Sequence, residues 1–175
     1  VNKSNFESLR DTDDYFRASS APQINNVFDG AGGTWSAWVL LTDTLGVSFQ
    51  CIMKKWRSNT NNGGPRFVTS GGTTMIRFTQ DFSTTDGDWV ATSSPLTLKT
   101  WTHVAVAYAS GSTANSPTLY INGASVAVVT AVQPVGTRTA DGNKFFDFGA
   151  VRTTSTTNEW NGLISCVEVH SGAQL

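Results

Sequence analysis

The chain has 175 residues and a net charge of −1, and only 14% of its residues are charged. This balance excludes a basic nucleic-acid-binding surface and a polybasic membrane patch, and no run approaches the roughly 20 apolar residues of a membrane-spanning helix. Because 39% of the residues are hydrophobic, the chain can bury a core, and we predict a single domain over residues 1–175. Since it begins at Val1 rather than at Met, we expect a processed chain or a piece of a longer protein.

Short runs of aromatic and β-branched residues, separated by clusters of Gly, Asn, Asp and Ser, predict a series of strands. In chain order the runs are Trp35–Leu41, Phe49–Met53, Thr74–Phe82, Trp89–Thr92, Trp101–Ala109, Thr118–Ile121, Phe145–Phe148 and Leu163–Val169. Asn122-Gly123 predicts a tight hairpin turn. No stretch carries a sustained helical period, so we predict an all-β sandwich or barrel.

Four motifs in this order resemble the laminin-G-like domains of the concanavalin A-like lectin/glucanase superfamily. The central motif is Trp101-Thr-His-Val-Ala-Val-Ala-Tyr, followed by a Ser/Gly loop and Leu119-Tyr-Ile-Asn-Gly. Thr34-Trp-Ser-Ala-Trp-Val is similar to the family's early strand. Phe6-Glu-Ser with Asp13-Asp14-Tyr15 resembles its first hairpin. Trp160-Asn-Gly-Leu-Ile-Ser-Cys-Val-Glu-Val resembles its closing strand.

The resemblance implies an antiparallel jelly-roll β-sandwich of two curved sheets. It also implies a role outside the cell or on the surface of a particle. Members bind glycans or proteins, or serve as structural modules, so the function must be argued from the site. The family's closing strand usually carries an acidic pair after the Ile, where this chain has Ser165-Cys166.

The sequence offers no catalytic constellation, and we predict that the protein is not an enzyme. Glycoside hydrolysis needs two carboxylates about 5 to 9.5 Å apart. The chain has three Glu residues (Glu7, Glu159 and Glu168), and none has an acidic neighbour two residues away. The two His residues form no metal-binding motif, and we interpret His103 as a structural residue whose ring nitrogens bond nearby groups.

The sequence requires no cofactor, and calcium is the one metal that it suggests. Asp86 and Asp88 are weak candidate ligands, because calcium prefers several oxygens on a loop; a plain Asp-Gly hairpin turn is the simpler interpretation. The two cysteines, Cys51 and Cys166, lie in apolar runs. We expect two free thiols, and a single disulfide remains the alternative.

Aromatic residues supply the candidate ligand surface, because sugar rings stack on flat aromatic faces. Trp35, Trp38 and Trp101 lie in strand motifs, and we predict that they belong to the core. Trp160 is expected to pack at the edge of the sandwich. The predicted ligand-binding residues lie beside polar loops: Trp56, Arg57, Asn59, Asn61 and Trp89.

These observations favour a non-catalytic, lectin-like module that recognises a glycan or a protein surface outside the cell. The alternative is a structural or decoration domain of a virion, in a capsid, tail or fibre assembly, or of another surface appliance. A low-charge composition rich in Thr, Ser, Gly and Asn suits both roles. A glycosidase is a minority hypothesis.

Overall fold

The computed structural model describes residues 5–6, 16–43, 49–56, 63–70, 73–93, 95–149 and 159–172. Within these ranges the chain is almost entirely β-structure, with one turn of 3-10 helix at Pro22–Ile24 and no α-helix. None of the described residues forms a helix of the length and hydropathy that a bilayer crossing requires.

The strands form two antiparallel sheets that pack as a jelly-roll sandwich. In chain order they are β1 (Asn5–Phe6), β2 (Phe16–Ala18), β3 (Gly33–Leu41), β4 (Cys51–Trp56), β5 (Gly63–Thr69), β6 (Ile76–Gln80), β7 (Gly87–Ala91), β8 (Thr102–Tyr108), β9 (Thr118–Ile121), β10 (Ala124–Val126), β11 (Val128–Val132), β12 (Phe145–Phe148) and β13 (Gly162–Ser171). The six-stranded sheet has the order β1-β13-β3-β8-β9-β10, and the seven-stranded sheet has the order β11-β7-β6-β5-β4-β12-β2.

The core lies between the sheets and is rich in aromatic rings. Trp35 on β3 is fully buried. Its ring centroid lies 4.7 Å from that of Phe146 on β12 and 4.9 Å from that of Phe28, which precedes β3. Such tilted ring pairs add a stabilising term beyond the burial of apolar area. The two sheets are therefore joined by aromatic packing, and the faces that point away from this core remain for function.

The predicted strands are confirmed. Each of the eight runs overlaps an observed strand. Asn122 and Gly123 both have positive φ angles, of 50° and 80°, as a primed hairpin turn requires. The motif that resembles the family's first hairpin, Phe6-Glu-Ser with Asp13-Asp14-Tyr15, lies outside the described residues except for Phe6, so this hairpin stays a prediction. The flanking strands join different sheets: β1 pairs with β13, whereas β2 pairs with β12.

A buried polar network closes one end of the sandwich where the chain between β11 and β12 forms no strand. Lys55 Nζ donates to Asn25 Oδ1 at 2.8 Å and lies 3.6 Å from Asp141 Oδ1. Asp141 also pairs with Arg138, at 3.1 Å between Oδ2 and Nη2. Desolvation lowers the pKa of Lys55. These charges are satisfied within the protein, so they are not available to a ligand.

Candidate functional site

The predicted ligand surface beside β4 falls outside the part of the chain that the structure describes. The backbone of Trp56 ends β4, but its side chain lies outside the described residues, as do Arg57, Asn59 and Asn61. A glycan contact at these residues stays a prediction.

Trp89 does not offer an exposed face. The side chain is 1% exposed, and its ring centroid lies 5.2 Å from that of Tyr108 and 6.2 Å from that of Phe78. Gly87 leaves room for this ring, because a Cβ there would lie 2.2 Å from Trp89 Cη2. We therefore correct the interpretation of Trp89 as a stacking platform: it is a core residue.

The acidic segment around Gly87 is part of a strand rather than a free hairpin turn. Gly87 begins β7. The Asp88 carboxylate pairs with the Arg77 guanidinium through both oxygens, with 2.7 Å between Oδ1 and Nε, and this pairing raises the pKa of Arg77. Asp86 Oδ1 accepts the Phe82 N–H at 3.0 Å.

The calcium prediction for Asp86 and Asp88 remains open. Among the described residues no three His, Cys, Asp or Glu side chains gather in a way that could hold a metal ion. Weak binding would require Asp88 to exchange its Arg77 partner for the cation. A calcium titration that follows the melting temperature tests it.

The outer face of the seven-stranded sheet is charged, and its charged side chains are held by contacts within the protein. Arg17 donates to both oxygens of the buried Asp147 at 2.7 Å. Lys54 lies between Asp147 and Arg66 in the strand register, and Arg66 Nε donates to Thr79 Oγ1 at 2.9 Å. Desolvation lowers the pKa of Lys54 to about 8. A charged ligand would have to break these contacts, so this face is a poor binding surface.

The outer face of the six-stranded sheet is different, because it exposes aromatic rings. Trp38 lies between Ala37 and Val39, which both point into the core, so strand alternation turns its ring outward. Trp101 directly precedes the buried Thr102 of β8. Trp38 and Trp101 are each 42% exposed, which corrects the prediction that both belong to the core.

The register of the strands gives this face its layout. One row runs across β13, β3 and β8 through Ser165, Trp38 and His103. The next row contains Glu168, Ser36, Ala105 and Tyr120. Because the side chains of Ser36 and Ala105 are small, those of Trp38, His103, Tyr120 and Glu168 project further from the sheet. We call Trp38, Trp101, His103, Tyr120 and Glu168 the aromatic face.

His103 supports Trp38 rather than bonding through its ring. The two ring centroids are 5.5 Å apart and the ring planes are inclined by 57°. Its backbone N–H donates to Asn122 Oδ1 at 2.9 Å. Within the described part of the chain no hydrogen bond from the His103 ring nitrogens is found, so the expected ring contacts are replaced by packing on Trp38.

A β-bulge in β13 aims Glu168 at this face. Ser165 pairs with Trp38 and Glu168 pairs with Ser36, so two residues, Cys166 and Val167, stand opposite one. Cys166 has a φ of 48°, in the left-handed region. If the pairing continued from Ser165 without the register shift, Glu168 would oppose Trp35 and point into the core. The bulge therefore places a carboxylate on a diagonal from Trp38, at about 7–8 Å between Cα atoms.

The two thiols do not pair with each other. Cys51 and Cys166 are free, as expected from the sequence. Cys51 is buried beside Val68 on the seven-stranded sheet, and desolvation raises its pKa to about 12. Cys166 lies in the bulge on the other sheet and is half-buried, with its Sγ 3.5 Å from Ser165 Oγ. The sandwich is therefore held by packing and not by a disulfide.

Comparison with known families agrees with this architecture. Residues 10–174 match the laminin-G-like family model of the concanavalin A-like lectin/glucanase superfamily. The chain belongs to this family. No curated protein sequence matches it significantly.

Solved structures share the fold at low identity. A heptameric SAP-like pentraxin from Limulus polyphemus is 12% identical, with a TM-score of 0.63 over 95% of this chain and 74% of its own. Domains LG4-5 of the mouse laminin alpha1 chain are 13% identical, with a TM-score of 0.56 over 89% and 38%. A candidate carbohydrate-binding protein from Bacteroides ovatus is 14% identical, with a TM-score of 0.56 over 100% and 45%. The chain thus spans less than half of the last two proteins.

Proposed function

We propose that the protein is a non-catalytic carbohydrate-binding module that acts outside the cell, and that it holds its ligand on the aromatic face. The observation that carries the proposal is the exposed ring of Trp38, held by His103 and flanked by polar side chains on a rigid sheet. The family and the fold are compatible with this role, and one structural neighbour is a candidate carbohydrate-binding protein.

Trp38 supplies the stacking surface. The apolar face of a pyranose ring packs on an indole ring, and that contact removes apolar area from water without breaking an ion pair. The Trp38 ring is already fixed by the His103 ring at 5.5 Å. Because little side-chain freedom is lost on binding, the entropy cost of forming the contact is reduced.

Glu168 supplies a partner for the sugar hydroxyls. Its Oε2 lies 3.4 Å from His170 Nε2, and its second oxygen can accept a hydrogen bond from a sugar hydroxyl. Hydrogen bonds to a charged acceptor are the stronger kind. Stacking on Trp38 together with acceptance by Glu168 would fix both the plane and the rotation of the sugar.

The same geometry argues against hydrolysis. Glu168 is the only carboxylate on the strands of the six-stranded sheet that the structure describes. Both the retaining and the inverting mechanisms need a second carboxylate across the scissile bond. On the described strands this face therefore offers a surface for a glycan without the acid–base pair that would cleave one.

The test is a glycan array followed by calorimetric titration of the best ligand into matched variants. Trp38→Ala is expected to weaken binding by about 30-fold, the effect of losing about 2 kcal/mol at a binding hot spot. Leu98→Ala is the control, because Leu98 is equally exposed at 42% but lies outside the sheets. Unchanged binding by Trp38→Ala, or an equal loss in Leu98→Ala, contradicts the proposal.

A second candidate is a structural or decoration domain that docks on a virion or another surface assembly. Leu98 and Trp101 favour it, because these two large apolar side chains are exposed in the segment that leads into β8. Where exposed apolar side chains form a contiguous patch, the patch often marks a protein-binding surface. A glycan array on which the wild-type protein binds no glycan would favour this candidate.

A further inference from the structure

Among the residues that the structure describes, strand β11 is an open edge of the seven-stranded sheet. It pairs with β7 on one side and ends the strand order on the other. Val129 and Val132 are large apolar residues that remain exposed, at 49% and 41%. Edge strands in stable monomers are usually protected by a Lys, a Pro or a covering loop. Residues Val128–Val132 contain neither a charge nor a proline.

The open backbone groups of this edge can be assigned. The Thr92 N–H donates to the Ala127 carbonyl at 2.9 Å, so the polar groups of Ala127 face β7. Alternation then turns those of Val129 toward its partner Val90 as well. The N–H and C=O groups of Val128 and Thr130 point away from the sheet, where another strand can bond to them.

The edge lies in a part of the chain that carries no acidic or basic side chain other than His103. No Asp, Glu, Lys or Arg occurs between Lys99 and Arg138. The opposite edge of the same sheet, β2, carries Arg17. Pairing through β2 would have to pack against the ion pair of Arg17 with Asp147, whereas β11 carries no charged side chain.

We propose that two copies of the protein associate by antiparallel pairing of their β11 strands. The partner is a second copy because a two-fold axis beside Val129 makes the edge complementary to itself. The backbone N–H and C=O groups of Val128 in each copy then bond to those of Thr130 in the other. Val129 then faces Val129 of the second copy, and the apolar row through Val90 and Val129 continues across the interface.

The interface is short, so the association is weak. The register shift between Thr130 and Val132 and the proline at position 134 limit regular pairing to a few residues. Such a contact buries less area than the roughly 1,200 Å² of stable complexes. We expect a dissociation constant of about 0.1–1 mM, which matters where copies are held close together.

Sedimentation equilibrium from about 10 μM to about 1 mM measures this association for the wild type and two matched variants. Val129→Lys places two like charges opposite each other and is expected to weaken the dimer at least about tenfold. Val135→Lys is the control, because Val135 is also 49% exposed but lies beyond β11; less than about a twofold change is expected. An equimolar mixture of Val129→Lys and Val129→Glu should recover association.

Disulfide cross-linking tests the same contact independently, should Val129→Lys fail to fold. Residues that face each other in a non-hydrogen-bonded pair have Cα atoms about 4.5 Å apart, within the range of a disulfide. Val129→Cys should form an oxidised dimer faster than Val135→Cys and the wild type. The proposal is overturned by a wild type that stays monomeric to about 1 mM, by equal effects of the two Lys variants, or by equal cross-linking of the two Cys variants.

Discussion

Trp89→Ala tests whether this ring belongs to the core, as the structure places it, or to a binding surface. A buried Trp removes about 150–250 Å² from water, which at about 25 cal/mol per Å² corresponds to roughly 4–6 kcal/mol. Measured losses for truncating large core aromatics are about 3–5 kcal/mol. Trp89 is 1% exposed and packs on two further rings. We therefore expect a loss of about 4 kcal/mol in the free energy of unfolding.

The assay is thermal denaturation followed by circular dichroism, in parallel with glycan titration. For a domain of this size 1 kcal/mol shifts the melting temperature by about 2–4 °C, so Trp89→Ala should melt about 8–16 °C lower. Trp38→Ala is the comparison, and it should shift the melting temperature by less than about 3 °C because its ring is 42% exposed. A small shift for Trp89→Ala together with lost glycan binding would refute the assignment of Trp89 to the core.

Three further measurements follow from the packing. Gly87→Ala should destabilise the protein by about 1–3 kcal/mol in urea denaturation, since its Cβ would lie 2.2 Å from the Trp89 ring. Alkylation of the native protein should modify Cys166 and spare Cys51, whose pKa is raised to about 12 by burial, so Cys166→Ser should abolish the fast phase. The free energy of unfolding should rise from about pH 8 to 9. The folded protein loses the Lys54 proton near pH 8, because desolvation lowers this pKa to about 8, whereas the unfolded chain keeps the proton to higher pH. Above pH 9 ionisation of the unfolded Cys51 thiol opposes this rise, so Cys51→Ala should extend it to higher pH.

The sequence predicts the strands, but the motif resemblance assigns both Trp35 and Trp38 to the core, and this is wrong for Trp38. Trp35 and Trp38 are three residues apart, and an odd spacing on a strand puts two side chains on opposite faces. The signal that one of them is exposed was therefore present. The resemblance of both residues to a family strand motif concealed it, because a motif shows which residues recur and not which way each side chain points.

Glu168 and β11 could not be placed from one sequence. Glu168 reaches the outer face through a bulge, and nothing in Ser165-Cys166-Val167 marks a register shift. Strand β11 is separated from β10 by Ala127 alone, although the two strands belong to different sheets. Local pattern predicts an extended segment there, whereas the sheet that each half joins depends on contacts distant in sequence.

The two outer faces of the sandwich differ in what they offer to a ligand. On the outer face of the seven-stranded sheet, Arg17 is paired with Asp147 and Arg77 with Asp88. A charged ligand there must compete with a partner that is already bound. The six-stranded sheet exposes Trp38 without an ion pair to break. Because β11 edges the seven-stranded sheet, pairing through that edge leaves the aromatic face of each copy exposed. A dimer would then present two binding faces, and weak contacts to a repetitive glycan would gain avidity when both faces are engaged.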